Sequence, residues 1–178
     1  NRAIDAAAAA GGGTVTFPPG TYPSFSIRLK SHVALYLERG ATLLAADPAA
    51  GRGAYDLPEA NDWALYQDFG HSHWQNSLIW GIGLEDVGGL GPGAIDGRGL
   101  TTRGPGAPWS RGKAGDRPLS MGPAAGNTGD PEVAELRAME GQGNKAIAPK
   151  LCRNVTLRDF TVRNGGHFAL LATGVDNL

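Results

Sequence analysis

The stretch 144-NKAIAPKLCRNVTLRDFTVRNGGHFALLATGVDNL-178 contains one structural unit and the beginning of the same unit again. Ile147 is followed eight residues later by Val155, with Asn154 just before it; Leu170 is followed eight residues later by Leu178, with Asn177 before it. The two asparagines are 23 residues apart. A fixed step of this size marks a solenoid, in which each unit buries its apolar face only against a neighbouring unit.

The phrase occurs twice more upstream. Ile79 precedes Val87 by eight residues with Asp86 in the asparagine place, and Phe25 precedes Val33 by eight with His32 there. Between these marks the texture is strand-like: Val155, Leu157, Phe160 and Val162 are separated by Thr156, Arg158, Thr161 and Arg163. A short polar side chain before each strand suits a turn, because it bonds neighbouring backbone and tolerates the left-handed conformation. The predicted fold is all-β, a parallel β-helix of short strands stacked coil on coil. A β-sandwich with chance self-similarity accounts for turn-punctuated strands equally well, but not for the recurring step.

Composition agrees and excludes several roles. A length of 178 residues suits one domain with a sizeable core. The net charge of -1 points to neither nucleic acid nor an anionic membrane surface as a partner. The 28 glycines fit a turn-rich β chain, since hydrophobic residues still make up 41%. Cys152 is the single cysteine, so no intrachain disulfide is available, and its place inside a coil suits a buried apolar role. No run of 18 apolar residues is present, so no membrane-spanning helix is expected.

Taken in order, residues 1–10 read as a short helix that caps the open end of the solenoid, with five alanines and Ile4 for contact, stopped by Gly11, Gly12 and Gly13. A first strand follows at Gly13–Phe17, then a turn at Pro18-Pro19-Gly20-Thr21-Tyr22. Val33, Leu35 and Leu37 alternate with Ala34, Tyr36 and Glu38, one face in and one out. Arg39-Gly40 makes a corner, and Leu43 and Leu44 enter the next strand. From Val33 to Val87 is 54 residues, 31 more than one step, and the excess lies in 47–76. Tyr55, Trp63, Tyr66, Phe69, Trp74 and Trp80 fall in or beside this insertion, with His71 and His73. Loops that leave a solenoid often build its binding face, although aromatics also pack a loop against itself. Residues 77–99 resume the coil, with Val87, Leu90 and Ile95 expected inward. A second insertion spans 101–143, with a Gly/Pro-rich start and a short helix at Pro131–Met139. The chain is expected to be the N-terminal portion of one β-helix domain, incomplete at its C-terminus.

Four phrases carry a family resemblance: GGGTVTFPPGTY after the helix, IRLKSHVALYLERGATL, GLGPGAIDGRGL, and the coil NVTLRDFTVRNGGHFALLATGVDNL. Together they resemble the N-terminal half of the polygalacturonases, glycoside hydrolase family 28, which have the right-handed parallel β-helix of the pectin-lyase-like superfamily. The resemblance implies inverting hydrolysis of glycosidic bonds in pectic polysaccharide by a group of aspartates, without a cofactor, in a secreted or periplasmic protein. A polysaccharide lyase on the same architecture and a non-catalytic glycan-binding β-helix are the alternatives.

The family signatures Asn-Thr-Asp, Asp-Asp, Gly-His-Gly and Arg-Ile-Lys are all absent, and Asn127-Thr128-Gly129-Asp130 does not match the first. In the family that first signature belongs to the coil after one like Gly165–Leu178. No residue is therefore assigned as catalytic. The candidates for lining substrate are His167, His71, His73 and Trp74. Trp63 and Trp109 are further candidates for stacking on sugar, and packing explains each tryptophan equally well. His71 and His73 share a strand face but lack a third ligand, so no metal is expected. Asp96, Asp159 and Asp176 read as turn carboxylates bonded to backbone. The expected partners are pectic polysaccharide and the remainder of the same protein, completing the β-helix.

Overall fold

The computed structural model describes residues 1–51, 53–59, 73–102 and 141–178. Helix α1 (Arg2–Ala9) precedes strands β1 (Gly13–Phe17), β2 (Gly20–Ser24), β3 (Ile27–Arg28), β4 (Val33–Leu37), β5 (Ala41–Ala45), β6 (Ser77–Ile82), β7 (Glu85–Leu90), β8 (Ala94–Asp96), β9 (Lys145–Lys150), β10 (Arg153–Leu157), β11 (Thr161–Arg163) and β12 (Phe168–Leu170). They form three parallel sheets, ordered β1-β4-β7-β10, β2-β5-β8-β11 and β3-β6-β9-β12. We call these sheets A, B and C. Successive strands go to different sheets, and every third strand returns beside its predecessor. This is the parallel β-helix, with the right-handed winding that connections between parallel strands adopt.

The interior consists of stacked rows. Ile27, Ile79, Ile147 and Leu170 are in register along sheet C, and Leu43, Ile95 and Val162 along sheet B. Val33 and Leu43 have no exposed surface. Each such aliphatic side chain contributes about 1.5–3 kcal/mol when removed from water. Three sequence expectations change. Ile27, rather than Phe25, stacks on Ile79, because Val33 follows Ile27 by six residues whereas Val87 follows Ile79 by eight, through a turn at Gly83. Residues 20–22 are strand, not turn; Pro23 is tolerated in β2 because that edge strand pairs on one side only, with β5. Leu90 is in register with the outward Tyr36, since three residues along a strand from inward Val87 reverses the face.

The recurring polar residue before each sheet A strand has a physical role. His32, Asp86, Asn154 and Asn177 all have positive φ, between 52° and 62°. They stack at one corner. Asn177 Nδ2 donates to Asn154 Oδ1 at 3.0 Å, and Asn154 Nδ2 to Asp86 Oδ1 at 2.8 Å. His32 Nδ1 lies 3.1 Å from Asp86 Oδ2. The Asn154 amide, then His32, hold the Asp86 carboxyl below its usual range.

Helix α1 closes the first coil. Ile4 is buried in the main core, and the Asn1 side chain accepts from Arg28 N and donates to Ser26 O, pairing the open edge of β3. At Gly12, φ is +116° and a Cβ would lie 2.6 Å from the His32 carbonyl oxygen, so this position requires glycine. Cys152 is 1% exposed, as expected of an apolar role. Among the described residues no helix is long and apolar enough to cross a membrane. The expectations for Trp63, Tyr66, Phe69, His71, Trp109, Asn127–Asp130 and the helix Pro131–Met139 lie outside the described residues.

Candidate functional site

Among the described residues, sheet C differs from the other two because chain crosses its outer face. Between β5 and β6 the backbone leaves the solenoid. It makes a 3-10 turn at Pro48–Ala50, where Asp47 accepts from Ala49 N. Residues 53–59 and 73–76 then form a strap against sheet C. Tyr55 anchors its start: the ring packs edge-on to Phe25 at 5.3 Å and the hydroxyl donates to Ala46 O. Tyr55 N donates to Gly141 O, joining the strap to the approach to β9. Burial pushes the Tyr55 hydroxyl well above its usual range, so it stays a donor.

Asp56 is the central fastening. Its Oδ2 accepts from Arg28 Nε at 2.8 Å and from Trp80 Nε1 at 2.9 Å, and its backbone N donates to Ser26 Oγ at 3.0 Å. Arg28 and Trp80 occupy equivalent outward positions on β3 and β6. One carboxylate therefore bridges two coils and holds the strap to both. The Arg28 hydrogen bond is the main cause of an Asp56 carboxyl below its usual range; partial desolvation opposes it and Trp80 assists. The pair raises Arg28 in turn.

Glu59 makes the second fastening. Its carboxylate accepts from Trp74 N and Gln75 N, each at 3.0 Å, and its carbonyl lies 2.8 Å from His73 Nδ1. His73 and Trp74 are 7% and 5% exposed. Lys150, at the end of β9, sets its ammonium 3.5 Å from the Trp74 ring centroid, a cation–π contact. The Trp74 indole Nε1 is buried and has no hydrogen-bond partner among the described residues.

Behind the strap, where sheet B turns into sheet C, Asn76, Asn144 and Lys145 are fully buried. Asn76 Nδ2 donates to Asn144 Oδ1 at 3.0 Å, and Lys145 Nζ donates to the same oxygen at 2.5 Å. Stacking side-chain amides from successive coils satisfies polar groups that the lumen would otherwise strand. His167 stands above this corner: its backbone N donates to Asn144 O, and its Nδ1 lies 3.0 Å from Thr102 O. Its ring packs edge-on to Phe168.

The sequence candidates thus separate. His73 and Trp74 belong to the strap and are packed under it. His167 lies on the last described coil, partly exposed, at the edge of sheet C. His71 is outside the described residues. Asp96 is a turn carboxylate, as expected: it accepts from Arg98 N at 3.2 Å, the Arg98 guanidinium and Asn164 Nδ2 at 3.0 Å. Arg28, Asp56, Glu59 and Lys150 had no part in the sequence reading of a site. For Arg28 and Lys150 a signal existed, since both fall on the outward parity of sheet C; for Asp56 and Glu59 none did.

No protein-family model and no curated protein matches the sequence. Solved structures do match. The hyperthermoactive exopolygalacturonase from Thermotoga maritima superimposes with a TM-score of 0.58 at 20% identity, covering 98% of this chain and 40% of its own. The Family 28 exopolygalacturonase of Yersinia enterocolitica gives 0.54 at 25% identity, covering 98% of this chain and 35% of its own. The fold is that of the polygalacturonases. A candidate glycosyl hydrolase from Parabacteroides merdae shares it, with a TM-score of 0.54 at 20% identity. This chain spans 35% to 63% of the length of these three polygalacturonase-fold structures.

Proposed function

We propose that the protein is a polygalacturonase-like glycoside hydrolase that degrades pectic polysaccharide, with its reacting carboxylates carried on coils beyond Leu178. The reading rests on one observation above all: the polygalacturonase fold is matched along 98% of the chain, and the Yersinia enterocolitica enzyme reaches 25% identity. The outer side of sheet C adds chemistry suited to a polymer of uronic acids. Lys150, at the end of β9, is a cationic group at its margin, with an indole beneath it. Inverting hydrolysis needs one carboxylic acid to protonate the leaving oxygen and a carboxylate on the opposite ring face to activate water. The residues described here supply the frame and the approach for such a site. His167, at the uncovered edge of sheet C, is the residue of this chain we assign to the substrate path. A secreted or periplasmic location belongs to the same reading.

The test is digestion of polygalacturonan by the full-length protein. New reducing ends without an ultraviolet-absorbing product are expected. An unsaturated, absorbing product would identify a lyase instead. Glycan binding without new reducing ends would identify a non-catalytic β-helix. The 178-residue chain by itself is expected to release nothing.

A further inference from the structure

By strand parity the outward positions of β6 and β9 are Leu78, Trp80 and Ile82, and Ala146, Ala148 and Lys150. Lys150 is the one charged residue among them. Sheet C treats its cations in two different ways. Arg28, on β3, is neutralised by Asp56 of the strap, which also takes the Trp80 indole N–H. Lys150 faces an aromatic ring instead. Its ammonium stands 3.5 Å from the Trp74 ring centroid, and no carboxylate among the described residues pairs with it. A ring face attracts a cation without cancelling its charge. The backbone of Lys150 is flanked on both sides, by Ile82 and by Thr173 of the following coil, and the residue is still partly exposed.

The ring beneath it is held rigidly. Glu59 accepts from the backbone N of Trp74 and of Gln75, and Trp74 is buried. An ammonium resting on a fixed platform has given up part of its freedom before a ligand arrives, which lowers the cost of binding. The Trp74 Nε1 is a second donor without an acceptor among the described residues. Donors in excess of acceptors select an anion, and a carboxylate is the anion a pectic polymer carries.

We propose that Lys150, positioned by Trp74, is an accessory subsite for the carboxylate of a uronic acid, and that it distinguishes free from methyl-esterified galacturonate. This rests on the pectic-hydrolase reading above. Esterification keeps the shape of the sugar and removes the charge that an unneutralised ammonium attracts. Lys150 closes β9, whereas His167 and the Asn144 corner lie at the opposite end of sheet C, about 16 Å away along the strand. A contact so far from that corner binds ground state and transition state alike, so its loss moves KM and spares kcat.

The experiment compares steady-state kinetics of the full-length protein on polygalacturonan and on highly methyl-esterified pectin. Lys150→Ala is expected to raise KM on polygalacturonan about tenfold, with kcat within about twofold. On the esterified polymer the same change should move KM by less than about twofold. Lys150→Arg should restore most of the loss. Trp74→Leu should reproduce about threefold of it, with the same dependence on substrate. The KM of the wild type should climb with ionic strength more steeply than that of Lys150→Ala. An unchanged KM in Lys150→Ala overturns the subsite and leaves the hydrolase reading standing. So does an equal rise on both polymers, which is what a purely structural cation–π contact would give. Absence of new reducing ends from the wild type on either polymer overturns the hydrolase reading, and the subsite with it. If Trp74→Leu does not fold, the Lys150 variants decide alone.

Discussion

At the scale of single residues, the left-handed corner is the most informative feature. A non-glycine residue there costs about 1–2 kcal/mol, and asparagine lowers the cost by bonding locally. Asn154 also links Asp86 below to Asn177 above. Asn154→Val should therefore lose about 2 kcal/mol in urea unfolding, and Asn154→Gly distinctly less, since glycine removes the ladder but not the conformation. Equal losses would mean that the side-chain ladder, not backbone strain, governs the site. Asp96 provides the pH test. It is 1% exposed, and Arg98, first, and Asn164 hold its carboxyl well below the usual carboxylate range. A depressed carboxyl stabilises the fold above its unfolded pKa, and this contribution is lost as pH falls from about 3.8 through the folded value. Asp96→Asn should cost about 1–3 kcal/mol near neutrality. The gap between the two melting temperatures should narrow below about pH 4. A constant gap across that range would separate the cost from ionisation.

Elements raise a different question: what attaches the strap to the solenoid. The strands are held by ladders along their whole length, whereas the strap depends on a few side chains, chiefly Asp56, Glu59 and Tyr55. Replacing Asp56 by alanine leaves the β-helix hydrogen bonds in place and unpairs Trp80 Nε1 and Arg28. Arg28 is more than half exposed, so solvent screening discounts its share of the pair. The global loss should be about 1 kcal/mol. The local effect should be much larger. Hydrogen exchange at residues 53–59 should accelerate far more than in β4–β8, and limited proteolysis should shift to the strap. Exchange that rises equally throughout would show that the strap and coils unfold as one unit. The sequence marked 47–76 as an insertion but not where it would lie, because Asp56 meets Arg28 only once β3 and β6 are adjacent.

Over the whole molecule, the two ends of the stack differ. The first coil is closed by α1, with Ile4 inside and Asn1 on the edge of β3. At the other end, β11 and β12 each pair on one side, β10 is met on its far side only by residues 176–177, and Leu170 and Leu178 are 42% and 62% exposed. Unpaired edges beside exposed apolar side chains favour association. The 178-residue chain should therefore self-associate with rising concentration in sedimentation, and charged substitutions at Leu170 should suppress this. Concentration-independent monomers would contradict the argument.

The winding itself was legible without coordinates. Its period is local: a strand of fixed length, a corner residue that accepts positive φ, and an apolar side chain at a set distance recur along the chain, as at Asn154 and Asn177. The same holds for the capping helix, for the inward run Val33, Leu35, Leu37, and for Asp96 as a turn carboxylate. Where the strap settles, and which face it closes, is not local. Asp56, Arg28 and Trp80 are separated by 28 and 24 residues, and no pattern within any one segment announces that they meet. His73 and Trp74, chosen as candidate sugar contacts for their chemistry, turned out to be packed there. Periodic contacts between neighbouring coils are written into every repeat; a single contact made by an irregular loop exists only after the coils have stacked and presented a surface to receive it.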